Sequence, residues 1–288
     1  MAVYRAKNIN DHDFSVYHAV YSQENIFLSY DWTERVEVVG PKGCGYLLLR
    51  DETPVGGVVY QDGHITSPFL IPPFSDKDEF WQELLKLWKC PENVLFFDFI
   101  PDSYCGFLEK AGARKKWGQS RMIRPTTKEN VVLDKQYYFT EPTVADIDEI
   151  IQAVYESHLH GYTSTITGPP DRKETEEAVN RRFTAFSETG TLHFGTIVKS
   201  VDSHRVAAVC LAGIYPGACD HFSTIHQVSV LPQHRRKGLA EAMIRNTINT
   251  AHSQSPVITL GVMTGNPAKK LYSKVGFISG MEYNDYVL

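Results

Sequence analysis

Between Phe139 and Tyr155 the chain reads FTEPTVADIDEIIQAVY, with Ile147, Ile150, Ile151, Val154 and Tyr155 spaced as i, i+3, i+4, i+7, i+8. That period predicts a helix with one buried face, entered from a short strand and a polar turn. The stretch from Arg5 to Tyr21, RAKNINDHDFSVYHAVY, has the same layout, and both helices end in Ala-Val-Tyr. A second pair of matching segments follows. Glu92 to Ala113 (ENVLFFDFIPDSYCGFLEKAGA) and Pro256 to Phe277 (PVITLGVMTGNPAKKLYSKVGF) each run as buried strand, polar break and glycine-closed helix. Between these ends each half carries a hairpin pattern, turning at Asp51-Glu52-Thr53-Pro54 in the first and at Asp202-Ser203-His204 in the second. The repeated order predicts two α/β domains of common layout, 1–130 and 131–288, joined near the polar segment Arg124–Lys135.

Composition narrows the class. Of 288 residues, 42% are hydrophobic and 22% charged, which is enough apolar material for a packed core. Lys and Arg total 29 against 34 Asp and Glu, a net charge of −5 that argues against a dedicated nucleic-acid or anionic-membrane binder. The start, MAVYRAKNINDHDF, has no apolar leader core, and no run has the length of a membrane span, so a cytoplasmic protein is expected. The five cysteines (Cys44, Cys90, Cys105, Cys210, Cys219) form no CxxC pair, and no HExxH occurs, so no metal is expected.

The chemistry concentrates in Thr224–His252, TIHQVSVLPQHRRKGLAEAMIRNTINTAH. Val228 and Val230 alternate in a strand, Pro232 ends its ladder, and Leu239, Ala240, Met243, Ile244, Thr247, Ile248 and Ala251 recur at helical spacing. The turn between them is Arg235-Arg236-Lys237-Gly238. Orphan N–H groups and the dipole at a helix start favour an anion, and a glycine lets a ligand approach the backbone. A solvated basic helix start is the plain alternative, but cations there oppose the dipole unless an anion compensates. Downstream, Asn266 suits an N-cap, Pro267 the first helical position and Gly276 the C-terminal cap. Ala268, Leu271, Tyr272 and Val275 share one face. On these residues alone Tyr272 reads as a half-buried core tyrosine.

Arg235-Arg236-Lys237-Gly238-Leu239-Ala240 resembles the [Q/R]xxGx[G/A] signature of the GNAT acetyltransferase superfamily, preceded by the family's Val-x-Pro at Val230–Pro232. Asn266 to Phe277 is similar to its NxxAxxxYxxxGF element, with one residue fewer between the Asn and the Ala. The resemblance spans Tyr138–Leu288, with the first half an eroded copy. It implies a mixed α/β (α+β) fold of two tandem GNAT-like domains, each a central, mostly antiparallel sheet flanked by helices. It also implies acetyl-CoA as co-substrate, no metal, and direct transfer of acetyl to a primary amine of a small molecule or peptide. Val228 and Val230 would then pair with the pantetheine arm through their backbones, and Arg235 to Ala240 with Asn266 would hold the cofactor. Tyr272 takes the position of the acid that protonates the leaving thiolate. His226 stands where many members carry an acidic base, or is simply a strand histidine facing solvent. His158, His160 and Tyr162, in the polar segment Ser157–Glu177, either touch the acceptor or solvate a surface loop. Transfer of a longer acyl group, and non-catalytic sensing of acyl-CoA, are the rival functions.

The first half has lost the loop. Pro72-Pro73-Phe74-Ser75-Asp76-Lys77-Asp78 replaces the basic glycine turn, Leu108 stands where Tyr272 does, and Asp102 where Asn266 does. Two prolines remove N–H donors, and two carboxylates repel pyrophosphate, so this half is expected not to bind CoA.

Overall fold

A computed structural model describes residues 2–22, 43–89, 94–216 and 222–288. Cys90 and Cys219 lie outside them; Cys105 and Cys210 are free thiols. The chain forms two compact units, Met1–Ser120 with Met281–Leu288, and Arg121–Gly280. The division at Ser120/Arg121 lies ahead of the expected boundary at 130, and Met281–Leu288, most of the last strand, groups with the first unit.

In the first unit, β1 (Tyr4–Ile9), α1 (Asp11–Tyr21), β2 (Gly45–Arg50), β3 (Thr53–Gln61), β4 (His64–Leu70), α2 (Lys77–Trp88), β5 (Phe96–Pro101) and α3 (Cys105–Lys110) follow in order. The β2–β3 turn places Asp51 at φ 46° and Glu52 at φ 70°, the positive pair that a two-residue hairpin of matching twist needs. Strands β1 to β4 pair antiparallel, whereas β4 and β5 are parallel over only two pairs, His64↔Phe96 and Ile65↔Phe97. The core gathers Phe80, Trp81, Leu84 and Leu85 of α2 against Leu48, Val58, Ile65, Phe97 and Leu108.

Strand β6 (Arg114–Pro125) contains the division. The second unit continues with β7 (Tyr137–Thr140), α4 (Ile147–Leu159), α5 (Tyr162–Thr167), α6 (Arg172–Glu188), β8 (Thr196–Ser200), β9 (Val206–Gly213), β10 (Phe222–Val230), α7 (Leu239–Ala251), β11 (Val257–Met263) and α8 (Ala268–Lys274). The final strand is β12 (Ile278–Val287), whose residues from Tyr283 onward pair antiparallel with β5. Strand order in the second unit is β7-β8-β9-β10-β11, antiparallel except for the parallel β10–β11 pair.

Every residue of β9, VAAVCLAG, is buried, because helices cover both of its faces. Val209 and Leu211 pack with Ile150, Ile151, Val154, Val179 and Phe183 of α4 and α6. Cys210 faces Thr247 of α7, whose hydroxyl also meets that of Thr196 at 2.9 Å. Small side chains on that face let α7 lie close to the sheet. The segment Ser157–Glu177, read as a loop, instead holds α5 and the first turns of α6. Asp171 caps α6 by accepting the Glu174 N–H at 2.9 Å, and Thr175, Val179, Phe183 and Phe186 make its buried face. Polar composition hid that stripe. Among the described residues no helix is long and apolar enough to cross a membrane, and no cluster of His, Cys, Asp or Glu could hold a metal ion.

Candidate active site

The parallel β10–β11 ladder runs from Phe222↔Val257 to Ile225↔Leu260 and stops. Beyond it β10 keeps its antiparallel partner β9, from Gln227↔Leu211 to Val230↔Ala208, after a bulge at His226. One edge of β10 is thus left without a strand partner among the described residues. A cavity of about 890 Å³ opens there, with Val228 and Val230 on one wall, Arg235, Arg236, Gly238, Leu239 and Ala240 at the end, and Asn266, Leu271 and Tyr272 opposite. His158, His160 and Tyr162 complete its rim. All sequence-predicted site residues except Lys237 and His226 therefore meet around one space.

The start of α7 has no side-chain cap. Gly238 occupies the N-cap at φ 77° and ψ 0°, a left-handed conformation that suits glycine, and offers no side chain to the helix amides. The Ala242 N–H makes the first intrahelical bond, to the Gly238 carbonyl at 3.0 Å. The N–H groups of Leu239, Ala240 and Glu241 consequently have no acceptor within the helix. A Cβ placed on Gly238 would meet no atom within 4 Å, so the space before those amides is open. Helices α1, α2 and α6 differ: Asn10, Asp76 and Asp171 each turn a side-chain oxygen back onto an N–H of the first turn. Arg236 also has a positive φ, 65°, a second left-handed residue in a turn of the kind that cups anions.

The three basic residues of the turn do different things. Arg236 is exposed on the cavity wall. Arg235 reaches that wall, but its guanidinium is committed to carbonyls: Nε donates to Val230 O (3.2 Å), Nη1 to His160 O (2.8 Å) and Nη2 to Ser157 O (3.1 Å). It pins the turn to the C-terminal end of α4. Lys237 turns away and donates to the Tyr137 hydroxyl at 2.9 Å, so the expectation that it lines the site does not match its placement. Glu241, a carboxylate in the first turn of α7, is neutralised by Lys274 at 2.6 Å and Arg245 at 3.1 Å. Asn266 caps α8 by accepting the Ala268 N–H at 2.9 Å.

Tyr272 projects from α8 into the cavity, its ring edge-on to Phe277 at 6.3 Å. Its hydroxyl has no hydrogen-bond partner among the described residues, and burial, reinforced by Cys210, raises its pKa well above an ordinary phenol. His226 is placed otherwise than expected. It is not part of the cavity wall but packs against Tyr215 (centroids 4.7 Å) and Phe186 (5.7 Å), with Nε2 sealed from solvent and without a partner. Burial, and then Arg182 and Arg121, push its pKa down to about 3. An imidazole that weak cannot take a proton from an ammonium at neutral pH. His158 stands nearer: it lines the cavity, accepts from Gln227 Nε2 at 3.0 Å, and is held below its ordinary pKa by burial and Arg182.

The sequence model of the acetyltransferase (GNAT) family matches residues 151–277, which hold this cavity. The second unit belongs to the GNAT family. Solved structures extend the likeness to the whole chain at the level of fold. A GCN5-related N-acetyltransferase from Sphaerobacter thermophilus is similar with a TM-score of 0.64 at 14% identity, over 99% of this chain and 95% of that one. A tandem GNAT protein from the clavulanic acid biosynthesis pathway gives 0.58 at 9% identity, over 99% and 98%. A GNAT-family acetyltransferase from Colwellia psychrerythraea gives 0.58 at 10%, over 98% of each. No curated protein sequence matches this chain. The chain thus has the mixed α/β architecture of tandem GNAT proteins, and its GNAT unit carries the open helix start described above.

Proposed function

We propose that the GNAT unit is an acetyl-CoA-dependent N-acetyltransferase acting on a primary amine by direct transfer, and that the first unit binds no CoA. The observation that carries this reading is the uncapped start of α7 opening on the cavity beside the Tyr272 hydroxyl. When bound, acetyl-CoA supplies an acyl group activated as a thioester. The fit is chemical: bare amides of Leu239–Glu241 with Arg236 beside them suit a pyrophosphate. The partnerless edge of β10 suits the amides of an extended arm, which would be held at the backbone of Val228 and Val230.

The chain's own groups then divide the work. The β10 backbone orients the thioester carbonyl and donates an N–H to it. Holding amine and thioester in one cavity removes much of the entropic barrier. Tyr272 keeps its proton at Oη because burial disfavours the phenolate. Against a thiol pKa of about 8.5, full transfer from so weak an acid is uphill, so Oη acts first as a hydrogen-bond donor to sulfur as negative charge builds there. The acceptor ammonium must shed a proton; His158 lines the cavity, as do His160 and His234, whereas His226 does not.

The test is a CoA-release assay of the full chain against an amine panel, together with calorimetric titration of acetyl-CoA. One site per chain and turnover of some amine support the reading. Two sites, or binding that never leads to release with any amine, would refute it, the second in favour of an acyl-CoA sensor.

A further inference from the structure

On the side of β10 where His226 lies, the GNAT unit holds a cation without a carboxylate. Arg182 of α6 is half-buried, its guanidinium hydrogen-bonded to the Tyr215 hydroxyl, and among the described residues no acidic side chain pairs with it. Its charge is felt by both His158 and His226. Around it stand aromatic walls, with Phe186 and Tyr215 at 5.2 Å between centroids and Tyr215 against His226. Close by, the buried Nε2 of His226 has no hydrogen-bond partner. Arg182 also lines a cleft of about 370 Å³ that shares His158 with the larger cavity. Of the three carboxylates that line that cleft, Asp171 accepts the Glu174 N–H and Glu177 lies 4.0 Å from Lys173, while the Glu174 side chain and Arg181 share the lining with Arg182.

A half-buried guanidinium with no carboxylate beside it is costly unless something supplies acceptor atoms. Building on the transferase reading, we propose that the acceptor is an amine that also carries a carboxylate, gripped by Arg182 with its amine directed past His158 towards Tyr272. A carboxylate suits this place better than a phosphate. It is planar, carries one charge, and matches the parallel N–H pair of a single guanidinium. Tyr215, bonded to the guanidinium and packed against Phe186, shields one side of that pair.

Two measurements separate this proposal from the reading it rests on. The first is calorimetry on the full chain with N-acetylglycine and N-acetylphenylalanine, each against its carboxamide. The acids should bind at least tenfold more tightly than the amides, and Arg182→Met should remove that difference. Tyr215→Phe, a milder change that frees the guanidinium, should weaken the acids several-fold and serves if the Arg182 variant fails to fold. The second is CoA release with amino acids, their carboxamides and O-phosphoethanolamine. Amino acids should be preferred, and Arg182→Met should raise acceptor KM tenfold or more with the KM for acetyl-CoA within twofold. Equal binding of acids and amides, binding of neither, preference for the phosphate-bearing amine, or an Arg182→Met protein with unchanged acceptor KM would each overturn the proposal. Binding of the acids without binding of acetyl-CoA would leave the anion site standing and remove the transferase reading.

Discussion

Replacing Gly238 by Asp puts a carboxylate where the proposed site needs an anion. Nothing lies within 4 Å of the added Cβ, so the side chain enters the space before the α7 amides without a clash. The φ of 77° opposes a side chain, at a cost of about 1–2 kcal/mol. A negative charge at a helix start returns about 0.3–1 kcal/mol. The net loss of stability is therefore small, and the melting temperature should fall by only a few degrees, on the order of 2–6 °C. Binding should suffer much more. Two unit charges about 5 Å apart repel by roughly 1–3 kcal/mol when the effective dielectric lies between 80 and 20. Each factor of ten in affinity is about 1.4 kcal/mol, so acetyl-CoA should bind about 5- to 150-fold more weakly.

Gly238→Asn separates charge from shape. Asparagine tolerates the left-handed conformation, has nearly the volume of aspartate and carries no charge. Its affinity should lie within a few-fold of the parent. The assay is titration calorimetry at two ionic strengths, because added salt should shrink the Asp penalty by screening. A folded Gly238→Asp protein with parental affinity would move the cofactor away from α7. Equal losses for Asp and Asn would show that space, not charge, limits the site.

Tyr272→Phe should leave folding and the KM for acetyl-CoA unchanged, since the hydroxyl has no partner among the described residues, yet lower kcat about tenfold to a hundredfold, the worth of one hydrogen bond to a developing charge; full kcat with a turned-over amine would remove Tyr272 from the chemistry. Arg235→Lys keeps the charge but cannot span the carbonyls of Val230, His160 and Ser157, so it should cost about 2 kcal/mol in denaturant melts and behave like Arg235→Met. A lysine variant of parental stability would show that charge, not the pin, is what Arg235 supplies. Burial pushes the Glu129 carboxyl up, but hydrogen bonds from Arg124 (2.6 Å), Thr127 and Arg245 more than reverse this and hold it below its ordinary pKa. A depressed carboxyl stabilises fully above its unfolded pKa of about 4.3 and loses that contribution as pH falls through the folded value. Glu129→Gln should therefore be less stable than the parent at pH 7, with a gap that closes towards pH 3; a gap constant across pH would contradict the linkage.

The repeated strand–helix layout was legible because hydrophobic period survives sequence change, and the two hairpins fell at the turns their polar residues marked. The glycine turn and the helix after it were legible too, since they sit within a few residues of one another. What escaped the sequence depended on direction rather than type. Three adjacent basic residues look alike in composition, yet Arg235 bonds to carbonyls, Arg236 faces the cavity and Lys237 turns to Tyr137. The fate of His226 was set by the β-bulge at its own position, which turns it towards Phe186 and Tyr215. Arg182 and Tyr215 lie on elements far apart in sequence and meet only because α6 packs on β9. Missing α6 as a helix meant missing that pair.

The two units also show how such a site can be closed. Strands β4 and β5 diverge after Ile65↔Phe97, as β10 and β11 do after Ile225↔Leu260, so the first unit retains the split on which a cofactor arm could lie. At its helix start, however, Asp76 accepts the Glu79 N–H at 2.9 Å, which puts the chain's own carboxylate where a ligand phosphate would go. Inside, Trp81 is wholly buried and donates to the Tyr104 carbonyl at 2.9 Å, while Leu108 is sealed at the position matching Tyr272. An N-cap of that kind is worth about 1 kcal/mol to a folded domain. The GNAT unit forgoes it at Gly238; on the function proposed above, a bound anion would return that stability by mass action. Whether the helix start is open or capped by the chain itself turns here on one residue, glycine in one unit and aspartate in the other.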